Sequence, residues 1–264
     1  MVTLSICIPT YSRRNNIVRL VNFILEKLDS VEICIHIDGS KDGTLEALSE
    51  IDDPRLKVTF AENAGRAKAL ASAINNATGK FIMIYDDDDW LLDGTLEMIV
   101  EDCQAIQDEK IAGIIYLMEN DKKEVIGDSF PLAQSNFMAI RADLKVKGDK
   151  KEVVRAELLK NAVAKNRFSA RRIPTSLYWS KIAMTHDVLC KNVVVGGKKY
   201  LEGGMTAQIS KLKKDNAAPM AQLHAARIKG FLKGRYRSIN YFLKSILAWF
   251  YYSTLSISSK INKK

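Results

Sequence analysis

Four short runs rich in apolar and β-branched residues, LSICIP (4–9), VEICIHI (31–37), RLKVTF (55–60) and KFIMIY (80–85), alternate with stretches of helical periodicity. Helices are predicted over about 15–28, from about 43, and over about 65–77. Strands that alternate with helices imply a mostly parallel sheet with helices on its faces, an α/β fold. In open sheets of this kind ligands sit beyond the carboxyl ends of the strands. The residues there are PTYSR (9–13), DGSKDGT (38–44), AENAGR (61–66) and DDDDW (86–90), four polar, turn-like clusters that the fold brings to one edge.

Further along, a helix is predicted over 96–107, a strand over 111–118 and one more over 138–140. GDKKEVVRAELLKNAVAK (148–165) reads as a helix, followed by the basic loop RFSARRIPTS (167–176) and the glycine-punctuated VVVGGKKYLEGGMT (193–206). The 264 residues are 47% hydrophobic, enough to fill a sizeable core. Cys7, Cys34, Cys103 and Cys190 form no CxxC pair and read as reduced core thiols of a cytosolic protein. The opening MVTLSICIPTYSRR carries its charge after the apolar run, as a first strand does and a signal peptide does not.

The four aspartates at 86–89 end what reads as a buried strand. Unpartnered buried carboxylates cost several kcal/mol, so such a cluster must face water or a cation. A solvated acidic turn is the plain alternative; the position at the ligand-bearing end of the sheet favours a cation. A calcium loop counted from Asp86 lacks its glycine, since Leu91 stands at the sixth position. An aspartyl phosphatase would carry its paired acids after the first strand, where this chain has PTYSRR. Magnesium or manganese needs few carboxylates and completes its shell with phosphate and water, so Asp86 and Asp88 could hold a nucleotide diphosphate through a metal.

SICIPTYSRRNNI, IDGSKDGT and ENAGRAKALASAINNATGKFIMIYDDDDW, in this order and spacing, resemble the family 2 glycosyltransferases of GT-A fold over about residues 3–99. The resemblance implies a nucleotide-sugar donor, with Pro9, Thr10, Tyr11, Arg13 and Asp38 around the base and ribose. It places Asn63, Gly65, Arg66 and Lys68 along the nucleotide. It puts the metal-binding DxD motif on Asp86, Asp87 and Asp88, with Asp88 the direct ligand of Mn or Mg, Asp86 its partner, and Asp87 on the ribose or sugar. Asp89 receives no role, and Trp90 either walls the pocket or packs in the core. Where the family commonly has two acids before Gly-Ser, this chain has His36-Ile37-Asp38-Gly39, a single carboxylate.

Family 2 enzymes invert the anomeric centre, so one carboxylate base suffices. The ED pair that commonly supplies it is missing downstream of the aspartates except as Glu101-Asp102, which falls too early. Glu152 and Asp149 stand nearest the expected place, although Asp149 with Glu152 three positions on is equally a helix-capping arrangement. Asp187 and Glu202 are rivals. Arg171 and Arg172 offer two guanidinium groups for a diphosphate, of the donor or of a lipid-linked acceptor.

Charge divides the chain. Residues 203–264 hold 12 Lys/Arg against the single acid Asp215, whereas residues 1–202 hold 28 against 30. We therefore expect a transferase domain over 1–202 and a basic, aromatic, amphipathic helical tail over 203–264 that lies on an anionic membrane surface, with a core helix carrying a solvated basic side, or a subunit contact, as the alternatives. Ile239 to Ile257 is interrupted by Lys244 and serines and is marginal as a spanning helix. No nucleic-acid-binding motif accompanies the tail. The expected activity is metal-dependent transfer from a nucleotide-sugar, a UDP-sugar by resemblance, to a glycan acceptor on polyprenyl diphosphate in surface-polysaccharide assembly. A nucleotidyltransferase or a non-catalytic membrane adaptor is the alternative; oligomeric state is left open.

Overall fold

The computed structural model describes residues 2–164, 170–199 and 209–261. The chain begins β1 (Leu4–Thr10), α1 (Arg14–Leu25), β2 (Val31–Asp38), α2 (Thr44–Ser49), β3 (Leu56–Ala61), α3 (Arg66–Asn76), β4 (Phe81–Ile84). It continues with β5 (Trp90–Leu91), α4 (Thr95–Ala105), β6 (Ile111–Glu119), β7 (Gln134–Ser135), α5 (Phe137–Ala142), β8 (Lys150–Arg155), α6 (Ala156–Ala164) and α7 (Thr175–Ile182). β9 (Asp187–Gly197), α8 (Ile209–Asp215), α9 (Ala217–Leu232) and α10 (Ile239–Ile261) follow.

One sheet runs β3-β2-β1-β4-β8-β6-β9-β5, with β7 paired to β9. β1, β2, β3 and β4 are mutually parallel, as the strand-helix alternation predicts, and β8 enters antiparallel between β4 and β6. β1 and β2 are buried along their whole length because helices cover both faces. On one face Leu4, Ile6 and Ile8 meet Ile17, Val21 and Ile24 of α1; on the other Cys7 and Cys34 meet Ala73 and Ile74 of α3. All four cysteines are free and buried.

The amino end of the sheet is tied by Glu32. Its carboxylate accepts hydrogen bonds from Ser5 Oγ (2.6 Å), Thr78 N (2.6 Å), Thr78 Oγ1 (2.7 Å) and Gly79 N (3.2 Å), and pairs with Lys57 (2.7 Å). Burial works against the charge, but these donors hold the carboxyl down at about 2.

Two expected elements differ. The helix over 148–165 is a strand, β8, followed by the shorter α6. Val153 and Val154 fill the sheet between β4 and β6, while Lys150 and Lys151 are both buried beside acceptors, so no apolar alternation marked the strand. Asp149 and Glu152 therefore do not cap a helix. The strand over 138–140 is helical, α5, because Asn136 caps it by accepting from Met138 N and Ala139 N at 3.0 Å each.

The basic tail folds back on the body. Met220, Leu223 and Tyr236 join the same apolar cluster as α3 and α7. Arg235 donates to Ala183 O, His186 O and Asp187, and Asp143 accepts from the backbone of Arg237 and Ser238. Among the described residues no helix is long and apolar enough to cross a membrane.

Candidate active site

β4 delivers Tyr85 into the core and then turns, with Asp89 N donating to Asp86 O at 3.2 Å. The turn gives every aspartate a partner, Arg13 being shared by Asp87 and Asp88. Asp86 pairs with Arg66 of α3 at 2.5 Å. Burial would raise its pKa, yet Arg66, with Lys151 behind it, holds it well below the carboxylate range. Asp87 is buried, accepts from Thr10 Oγ1 (2.6 Å) and Arg13 (3.1 Å), and is pushed up to about 6 by that burial and by its acidic neighbours, against Thr10 and Arg13. Asp88 meets Arg13 from the open side, with 39% of its side chain exposed. Asp89 faces inward to Lys151 at 3.3 Å, and burial raises its pKa against that lysine.

Lys151 is the residue that sequence reasoning missed. Its ammonium also lies 4.0 Å from the Tyr85 ring centroid and 3.4 Å from Ile84 O, directly behind the acidic turn. The only signal was the doubled lysine ahead of a β-branched pair, read as a helical surface.

The remaining strand ends complete the edge. Asp38 is buried, and its carboxylate accepts from Ala64 N (2.7 Å) and Gly65 N (3.0 Å), so it anchors the 63–65 turn. Gly65 has φ +97°, and a Cβ there would lie 2.6 Å from Arg171 O; the turn and the Arg171 backbone touch through a gap only glycine leaves. Arg171 then donates to Asn63 Oδ1, and Arg172 N donates to Asn216 Oδ1 at 3.0 Å. Burial and the nearby Arg66 lower the Arg172 pKa, which marks two guanidinium groups sharing one corner. Pro9 is buried at the end of β1, Tyr11 is exposed at the lip, and Lys68 is exposed on α3. Ser12 N donates to Ser40 Oγ (2.8 Å), stitching the first two loops together. Trp90 starts β5 and is half-buried against β9.

The family model for glycosyl transferase family 2 matches residues 5–167, more than half of the chain. The chain belongs to that family. Among relatives of this glycosyltransferase, a chondroitin synthase of Pasteurella multocida is 34% identical over 111 residues, 41% of this chain and 11% of that protein. A GalNAc(5)-diNAcBac-PP-undecaprenol beta-1,3-glucosyltransferase of Campylobacter jejuni is 28% identical over 106 residues, 38% of this chain and 34% of that one. The chain thus spans well under half the length of these relatives. S. aureus TarS 1-349 in complex with UDP-GlcNAc superposes with a TM-score of 0.62 at 18% identity, over 95% of this chain and 79% of that one. A mannosyltransferase of Pyrobaculum calidifontis in complex with GDP-Man and Mn2+ gives 0.57 at 18%, over 98% and 75%. At such identity the likeness is one of fold, the GT-A arrangement.

The acids of this glycosyltransferase that could serve as base are separated by the sheet. Asp149 precedes β8 at the same edge as the aspartates and pairs with Lys198 at 3.1 Å. Glu152 lies on β8 opposite Ile115, on the face away from Lys151. Burial pushes its carboxyl up to about 7, against Arg141 and Lys151. Asp187 sits at the far end of the sheet, its N bonded to Lys110 O and its carboxylate paired with Arg235, so it is not brought to the site. Glu202 lies outside the described residues.

The donors at 86–88 suit a hard divalent ion. They are carboxylates only, and Asp88 is open to solvent. No group of three or more Asp, Glu, His or Cys converges on one point among the described residues. An ion here would draw the rest of its shell from phosphate and water, as Mg and Mn do.

Proposed function

We propose that this family 2 glycosyltransferase moves a sugar from a UDP-sugar, with inversion, onto a glycan acceptor carried on polyprenyl diphosphate at the cytoplasmic membrane face, in surface-polysaccharide assembly. The observation that carries the reading is one corner of the sheet edge where Asp86, Asp87 and Asp88 face Arg13, Arg66 and Arg172. Such an arrangement matches a ligand that is an anionic diphosphate and its cation together. The lipid-linked acceptor is supported by the undecaprenol-linked substrate in the name of the Campylobacter relative. Family membership sets aside the nucleotidyltransferase and adaptor alternatives.

In this reading Tyr11, exposed beside Pro9 and Arg13, supplies a face for the uracil ring. Asp38 and Asn63 fix the turn on which Arg66 and Lys68 present cationic charge along the phosphates. Asp88 and Asp86 would hold Mn or Mg, which stabilises negative charge on the departing diphosphate. In the same reading Asp87, which accepts from Thr10 Oγ1, takes a ribose or sugar hydroxyl. Arg171 and Arg172 close over the diphosphate from the α7 side. The acceptor oxygen forms its bond to the anomeric carbon as the bond from that carbon to the phosphate oxygen breaks. The nucleoside diphosphate leaves with the electron pair, and the acceptor proton passes to Glu152 or Asp149.

A panel of nucleotide-sugars with Mn or Mg, read as nucleoside diphosphate released with and without polyprenyl-diphosphate-linked glycan, tests this. A uridine donor whose turnover rises with the lipid-linked acceptor supports the reading; no release from any donor ends it.

A further inference from the structure

The C-terminal hairpin presents a surface that glycosyl transfer does not use. α9 and α10 run antiparallel: Phe231 stacks on Phe242 with ring centroids 4.2 Å apart, and His224 on Tyr252 at 5.8 Å. α9 buries Met220 and Leu223 in the body, and α10 turns Ser245 inward. The opposite side of α10 is bare. Ile239, Leu243, Leu247, Phe250 and Ile257 are all exposed, Leu247 by 71%. Their spacing of three, four or seven residues puts them on one stripe. At about 1.5 Å per residue the stripe is roughly 27 Å long.

The charge around it selects the occupant. Beside the stripe and at the hairpin turn, Lys233, Arg237 and Lys244 are exposed, and residues 203–264 contain one acid against 12 Lys/Arg. A second copy laid on the same face would bring two cationic surfaces together, whereas anionic headgroups would neutralise them. Thr254 falls within the stripe, Asn240 and Lys244 flank it, and no described helix can span a bilayer. We propose that α10 lies flat in an anionic lipid surface, with this stripe among the acyl chains and the lysines and arginines at the headgroups.

The proposal rests on the lipid-linked acceptor reading for its purpose, and the fold supplies the link. Antiparallel pairing returns the far end of α10 to the start of α9, beside Asn216, which holds the Arg172 backbone. The docked hairpin is thus tied to the arginine corner through the hydrogen bond from Arg172 N to Asn216 Oδ1.

The test is sedimentation of the full chain with phosphatidylglycerol-containing vesicles and with phosphatidylcholine vesicles. Anionic vesicles should bind about tenfold or more tightly, and the pair Leu247→Gln with Phe250→Gln should weaken that binding on the order of tenfold. Both side chains are exposed, so the melting temperature and donor hydrolysis in solution should not change. Equal binding to both vesicle types, or no binding, would overturn the proposal. So would a concentration-dependent dimer that the double variant dissociates. Vesicle failure with intact donor hydrolysis defeats the docking and spares the transferase reading; vesicle binding without hydrolysis of any donor does the reverse.

Discussion

Lys151 stands 3.3 Å from Asp89, both buried, so that one ammonium underpins the turn carrying Asp86, Asp87 and Asp88. Removing it would leave buried Asp89 without its ion-pair partner, with the more distant Lys198 as the remaining counter-charge. Lys151→Met is expected to cost about 3–5 kcal/mol of stability in urea unfolding. Lys151→Met combined with Asp89→Asn should recover part of that loss, because the pair is lost together. Additive losses would show that the two residues do not act as a unit.

Gly65 joins the 63–65 turn to the Arg171 backbone. Gly65→Ala forces a Cβ to 2.6 Å from Arg171 O at a φ of +97°. Destabilisation of about 1–3 kcal/mol should accompany weaker nucleotide binding. A variant that melts and binds like the parent would contradict the close packing of these loops.

How far the sequence revealed this site depended on which kind of strand carried it. The parallel strands end in turns whose polar residues have no packing purpose, so Thr10, Asp38, Asn63 and Asp86 to Asp88 stood out, and the structure brings them to one edge. β8 was hidden because Lys150 and Lys151 are buried against Ile126 O and Asp89, giving the strand the charge pattern of a helix surface. Asp38 looked like a ligand-facing acid, yet backbone amides of Ala64 and Gly65 occupy its oxygens. Pairing of α9 with α10 depends on aromatic contacts such as Phe231 with Phe242, which have no local signature.

At the other end of the sheet, Glu32 makes stability depend on pH. Its folded pKa of about 2 lies below the ordinary glutamate value of about 4.5. Its contribution is therefore complete above the unfolded pKa and is lost as pH falls from about 4.5 through 2. About 3 kcal/mol should disappear over that window, and Glu32→Gln should flatten the slope there while lowering stability at neutral pH. An unchanged slope would mean that this network does not set acid stability.

The base is decided by comparing Glu152→Gln with Asp149→Asn. With its carboxyl raised to about 7, Glu152 as base makes turnover fall as pH drops below about 7. Glu152→Gln should reduce kcat on the order of a hundredfold or more and abolish the limb near 7. Full activity in both variants would exclude the pair.

The most direct measurement is calorimetric titration of UDP with Mn into the parent protein and into Asp88→Asn. Asp88 is solvent-facing, so the variant should fold normally. We expect the parent to bind UDP in a Mn-dependent way and Asp88→Asn to lose at least about tenfold in affinity in the presence of Mn while losing little without it. Absence of nucleotide binding by the parent, or identical Mn-dependent binding by Asp88→Asn, would contradict the assignment of the acidic turn to a metal-bound nucleotide diphosphate.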